Sequence, residues 1–82
     1  MLKKNENDVL KIISKILQIN IKKINRSAKF SKIQGWDSLN HLNILIELDK
    51  TFKNKISPIP KFGEASSINQ MLKILRSNNL IL

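Results

Sequence analysis

The pentapeptide Gly35-Trp36-Asp37-Ser38-Leu39 contains the side chain that is best placed for covalent chemistry, the hydroxyl of Ser38. It opens an apolar pattern of helical period that runs to about Phe52, so Ser38 is expected at the N-terminal end of a helix. Free N–H groups and the helix dipole favour an anion at that end. Because the rest of the sequence offers little that could be catalytic, we interpret Ser38 as a point of attachment.

Length and composition exclude several classes of protein. The 82 residues are enough for one domain over 1–82, with hardly any room for a deep active-site cleft. The chain has no cysteine and one histidine, so it lacks a thiol nucleophile, a disulfide framework and a thiolate metal site. We find no glycine-rich phosphate loop, no metal-ligand cluster and no catalytic pair of carboxylates. We therefore expect a protein that serves other enzymes and is not itself an enzyme.

The N-terminal residues resemble a targeting signal only at their start. Met1-Leu2-Lys3-Lys4 begins like a signal peptide, but the polar residues of 5–8 interrupt any apolar region that would complete it. No run of about eighteen apolar residues follows, so no membrane span is expected. These features favour a cytoplasmic protein.

The formal net charge of +9 is ordinarily a sign of an anionic partner. Here nearly all the basic residues are lysines, and lysine, asparagine and isoleucine are over-represented along the whole chain. With two arginines and no tyrosine, a nucleic-acid recognition face is poorly supplied, and we interpret the charge mainly as solvated surface. A small basic helical module for nucleic-acid or protein interaction is the alternative, and its activity would not need Ser38.

Apolar periodicity predicts three principal helices. The first covers 5–18, with Asn5 or Asn7 as its N-cap, and its apolar stripe consists of Val9, Ile12, Ile13, Ile16 and Leu17. The second begins at Asp37 or Ser38, either of which could cap it, and ends near Lys53 or Asn54. The third begins at Ser66 or Ser67, where 67–70 fits a capping box, and ends at 78–79.

The connections between these helices carry predictions of their own. Segment 19–36 is read as an ordered loop across the bundle, held by Ile21, Ile24, Phe30 and Ile33. Two prolines, Pro58 and Pro60, limit the second connection to about one helical turn near 61–65. We also predict that Trp36 closes over His41 or Leu42, that Asp49 pairs with Lys53, and that 80–82 either packs back or frays. The fold class is an all-α bundle with a long first loop.

The motif and its place in the chain resemble the acyl carrier protein family. The resemblance is carried by Gly35-Trp36-Asp37-Ser38-Leu39 and by Leu48-Asp49-Lys50-Thr51-Phe52 at the end of the same helix. It implies a four-helix bundle, here three main helices and one short turn of helix. It also implies that Ser38 accepts 4′-phosphopantetheine from coenzyme A through a phosphopantetheinyl transferase. The thiol of that arm would carry acyl or aminoacyl groups between loading and transfer enzymes, with the carrier acting as a monomer.

Partner recognition is where the chain departs from the family pattern. The second helix of typical members is strongly acidic, whereas asparagine or lysine stands here at positions 40, 43 and 50. We therefore expect weak electrostatic steering and mainly apolar contacts. The partner-binding residues predicted are Asp37, Leu39, Leu42, Ile46 and Asp49. This pattern favours a dedicated pathway, of fatty acids or of specialised lipids or polyketides.

Two questions stay open at the level of sequence. Asp37 could cap the helix, help the transferase to engage Ser38, or do both. The isoleucine-rich interior could shelter a carried acyl chain between the helices, or its stiff branched side chains could fill that space.

Overall fold

The computed structural model describes residues 4–82. Within these residues the regular secondary structure consists of helices alone. The three α-helices are α1 (Glu6–Leu17), α2 (Ser38–Thr51) and α3 (Ile68–Ser77), and three short 3₁₀ helices cover Ile21–Lys23, Phe30–Lys32 and Pro60–Glu64. The prediction of an all-α chain with three principal helices is confirmed. Residues 1–3, which belong to the segment that begins like a signal peptide, lie outside the described residues.

Helix α1 begins at the expected cap. The Asn5 side chain accepts from the Asp8 amide at 3.2 Å, and the Asp8 carboxylate accepts from the Asn5 amide at 2.9 Å, which is a complete capping box. The buried residues of α1 are Val9, Leu10, Ile13 and Leu17. The predicted stripe omits Leu10, which is buried, and is wrong there. Ile12 and Ile16, which the stripe includes, are only half-buried. The inner face is centred on Ile13 and Leu17, so those two isoleucines lie at its edge.

The long first connection is ordered, as predicted. Its apolar residues Ile24, Phe30 and Ile33 are buried in the core, whereas Ile21 is half-buried. The Phe30 amide donates to the Ser66 carbonyl at 2.8 Å, which ties this loop to the start of α3. The two 3₁₀ turns let so long a connection satisfy its backbone groups locally.

Helix α3 begins at Ser67, whose side chain accepts from the Gln70 amide at 3.3 Å. The reciprocal half of the predicted capping box is wrong. The Gln70 side-chain oxygen accepts from the Ser66 amide at 2.8 Å, one residue before the cap. Segment 80–82 packs back onto the bundle, since Ile81 is buried and the Leu82 amide donates to the Lys4 carbonyl at 2.9 Å.

One carboxylate joins three parts of the bundle that are distant in sequence. Glu6 pairs with Arg26 at 2.8 Å through one oxygen and with Arg76 at 2.6 Å through the other. These hydrogen bonds from the two guanidinium groups lower the pKa of Glu6 below its ordinary value of 4.5. The start of α1, the first loop and the end of α3 are thereby held together.

The core lies between the three α-helices and is almost entirely aliphatic. Its fully buried side chains are Val9, Ile13, Ile44, Leu48, Phe62, Ile68, Met71, Leu72 and Leu75. No helix within residues 4–82 is long and apolar enough to cross a membrane.

Candidate functional site

Ser38 is the first residue of α2 and is exposed. The cap is Asp37, whose backbone is extended and whose carboxylate accepts from the Asn40 amide at 2.8 Å. Of the two residues that could cap this helix, Asp37 makes the capping bond, and Ser38 already belongs to the helix. The Ser38 side chain is left at the surface.

The backbone at this terminus can receive an anion. Within residues 4–82, the hydrogen bonds here engage the amides of Asp37, Asn40 and His41. The amides of Ser38 and Leu39 lie in the first turn of α2 and so have no intrahelical acceptor. A phosphate on Ser38 would interact with these amides and with the helix dipole, by about 0.3–1 kcal/mol for an exposed site. The Asp37 carboxylate opposes part of that attraction.

The turn before the cap depends on Gly35, which adopts a positive φ of 84°. A Cβ at this position would meet Leu17 at no less than 3.8 Å, so the requirement for glycine is conformational and not steric crowding. The Asn40 side chain donates to the Gly35 carbonyl at 2.7 Å. This hydrogen bond joins the turn at Gly35 to the first turn of α2. It was not predicted from the sequence, because no spacing rule indicates such a contact.

A cluster of three rings holds the start of α2 against the first loop. Trp36 stacks on Phe30 with ring centroids 4.0 Å apart and planes inclined by 7°. The indole Nε1 of Trp36 donates to Nδ1 of His41 at 3.0 Å. The predicted closure of Trp36 over His41 is confirmed, although a hydrogen bond makes it and not an apolar staple. His41 also lies against Phe30, and is half-buried as a structural residue would be.

The outer face of α2 presents three large apolar side chains. Leu39 is 67% exposed, Leu42 53% and Ile46 45%. Their spacing of three and four residues places them on one side of the helix. The structure therefore brings together on one surface the three apolar residues that were predicted to bind a partner, although it tests no partner.

A groove adjoins this surface where α2 faces the second connection. It has a volume of about 350 Å³, and it is lined mainly by apolar residues, among them Leu45, Ile46, Ile56, Ile59 and Phe62. The exposed apolar face of α2 is thus continuous with a concave apolar site.

Asp49 has an internal partner that the sequence did not reveal. Its carboxylate accepts from the amides of Ile56 at 3.0 Å and Ser57 at 2.9 Å. The predicted pair with Lys53 is wrong, because neither salt bridge within residues 4–82 includes Asp49. Helix α2 ends at Thr51, and Lys53 adopts a positive φ of 56°, which takes it out of the helical register.

Comparison with models of known protein families, with curated proteins and with solved structures found no match for this chain. Among the residues that the structure describes, no three side chains of histidine, cysteine, aspartate or glutamate lie close enough to hold a metal ion. The geometry around Ser38 and along α2 is therefore the basis for a functional assignment.

Proposed function

We propose that this protein is a carrier of the acyl carrier type, with 4′-phosphopantetheine attached through a phosphodiester to Ser38. The arm carries acyl or aminoacyl groups as thioesters, and separate enzymes load and unload it. The single observation that supports this most directly is an exposed serine in the first position of a helix that another residue caps.

The division of labour between Asp37 and Ser38 makes modification compatible with the fold. Because Asp37 satisfies the Asn40 amide, a bulky group on Ser38 removes no capping bond. The ring cluster of Trp36, Phe30 and His41 fixes the first turn of α2, so the attachment point is presented in a defined orientation.

The apolar face of α2 supplies the surface through which partner enzymes would bind. Exposed leucine and isoleucine side chains in one stripe are typical of interaction sites. Since Asp37 and Asp49 already accept backbone hydrogen bonds, we assign the main contacts to Leu39, Leu42 and Ile46. A carried acyl chain would lie in the adjoining groove beside Ile46.

The architecture is compatible with an acyl-carrier-like four-helix bundle. Three α-helices form the body of the described chain, and the 3₁₀ helix Pro60–Glu64 occupies the place in sequence of a short additional helix. Its central Phe62 is buried in the core, so this short element is part of the packing.

The decisive experiment is intact-mass spectrometry after incubation with coenzyme A and a broad-specificity phosphopantetheinyl transferase. Wild type should gain the mass of one phosphopantetheine, and Ser38→Ala should gain none. Ser31→Ala, which removes another exposed serine, is the matched control and should be modified like wild type. If none of several transferases modifies wild type, the carrier assignment fails.

An interaction module that needs no cofactor is the second candidate, because the apolar stripe of α2 serves it equally well. Such a module would form a partner complex that Ser38→Ala and coenzyme A leave unchanged. The carrier proposal predicts instead that Ser38→Ala can no longer be loaded with an acyl group, because it lacks the point of attachment.

A further inference from the structure

A second concave site lies away from the outer face of α2, between the end of α1 and the first loop. This cleft has a volume of about 530 Å³, within the range of small-molecule sites. Its polar lining includes Gln18, Asn20, Lys23, Asn25 and Lys32. We call it the loop cleft.

The loop cleft lies in a part of the chain without negative charge. Residues 9–36 include seven lysines and arginines and no aspartate or glutamate. Both salt bridges within residues 4–82 use arginines, so the cleft lysines Lys23 and Lys32 take part in neither. Their ammonium groups are exposed and are available to an anion.

Side-chain amides add neutral donors to the two positive charges. The Asn20 side-chain oxygen accepts from the Lys22 amide at 2.9 Å, and that of Asn25 accepts from the Ser27 amide at 3.0 Å. Each asparagine therefore keeps its NH₂ group free of that bond, and both residues line the cleft. Ile19, Ala28 and Ile33 supply an apolar part of the lining.

We propose that the loop cleft binds the phosphate group of a small phosphorylated molecule, with Lys23 and Lys32 as the charged contacts. Phosphate oxygens accept several hydrogen bonds at once, and ammonium and amide donors around a concave site meet that requirement. A bound nucleic-acid strand is less well served, because Trp36 and Phe30 stack on each other and both arginines contact Glu6. The proposal does not depend on modification of Ser38.

The test is a titration of the unmodified protein with pyrophosphate, followed by ¹H–¹⁵N NMR. The amide signals of Gln18, Asn20, Lys23 and Lys32 should shift and saturate together. Lys23→Gln/Lys32→Gln should bind about tenfold more weakly or worse, since each lost lysine removes a charge-assisted contact. A well-dispersed spectrum of the double variant would show that it folds.

A matched control separates the cleft from general electrostatics. Lys61→Gln/Lys73→Gln removes the same charge from another cleft, which both lysines line, and should change the affinity by less than about twofold. Equal weakening in the two double variants, or shifts spread over all lysines without saturation, would overturn the proposal.

A second arm identifies the source of the phosphate. Vesicles of phosphatidylcholine with phosphatidic acid are compared with free pyrophosphate under the same salt. Saturable, Lys23- and Lys32-dependent binding of pyrophosphate supports a soluble ligand, whereas dependence on these lysines with vesicles alone assigns the cleft to a lipid headgroup and overturns the small-molecule proposal.

Discussion

The indole Nε1 of Trp36 and the imidazole Nδ1 of His41 are joined by a hydrogen bond of 3.0 Å. The bond links the residue before the helix cap to the first turn of α2, and Ser38 lies between them in sequence. This contact therefore helps to fix the start of α2, where Ser38 lies exposed, and it can be tested.

Trp36→Phe should destabilise the protein by about 1 kcal/mol, because it removes the hydrogen bond while a ring still stacks on Phe30. Urea unfolding measures the change. His41→Asn, which keeps a side-chain oxygen near the Nδ1 position, should cost less than His41→Leu. Identical midpoints for Trp36→Phe and wild type would mean that the bond does not form in solution.

Asp37→Ala should lower the free energy of unfolding by about 1 kcal/mol through loss of the cap. Asp37→Asn keeps an oxygen that can accept from the Asn40 amide, and should remain close to wild type in stability. The same pair separates capping from recognition. Slower transfer of phosphopantetheine to Asp37→Asn at unchanged stability would show that the transferase recognises the Asp37 carboxylate.

Asp49→Ala should loosen the segment after α2, since the half-buried amide of Ile56 and the exposed amide of Ser57 both lose their acceptor. The expected cost is about 1–3 kcal/mol, with faster hydrogen exchange at the amides of Ile56 and Ser57. Asp49→Asn retains one acceptor oxygen and should be milder. Unchanged exchange at both amides in Asp49→Ala would contradict the internal role of this carboxylate.

Glu6 should make a pH-dependent contribution to stability. Its pKa is lowered in the folded state by Arg26 and Arg76, so the folded protein binds fewer protons than the unfolded chain in this range. The contribution is complete above the ordinary value of 4.5 and is lost as the pH falls through the lowered pKa. The difference in unfolding free energy between wild type and Glu6→Gln should therefore shrink on acidification.

The size of this pH effect should be small, because the two ion pairs are partly exposed to solvent. Glu64→Gln, which alters a carboxylate outside both salt bridges, provides the control and should show no such trend. A difference for Glu6→Gln that stays constant with pH would rule out the coupling.

Ile46→Asp should slow loading by a cognate enzyme at least about tenfold, because a charge would enter the apolar contact. Its free energy of unfolding should fall by only about 1 kcal/mol, since the side chain is 45% exposed and aspartate is a poorer helix former. Leu82→Asp alters an exposed leucine outside α2 and serves as the matched variant. Equal loading of Ile46→Asp and wild type would remove Ile46 from the interface.

The sequence by itself determined the three α-helices, the start of each to within about two residues, and the residues that are candidates for function. Apolar periodicity is local, and a capping aspartate or asparagine acts within three residues, so both can be read from neighbouring positions. Leu39, Leu42 and Ile46 were predicted to bind a partner from the resemblance to the carrier family, and their spacing places them on one side of the helix. The same reasoning left the choice of cap between Asp37 and Ser38 undecided, because it depends on backbone angles.

The tertiary structure decided the contacts between distant segments. Glu6 with Arg26 and Arg76, Phe30 with Trp36, and Asp49 with the segment after α2 follow no fixed spacing. They form where packing of the core brings the elements together. Because α2 ends at Thr51, Lys53 lies outside the helix, and Asp49 accepts from backbone amides instead of forming a surface ion pair. Local patterns therefore specified which helix carries Ser38, and packing specified how that helix is held.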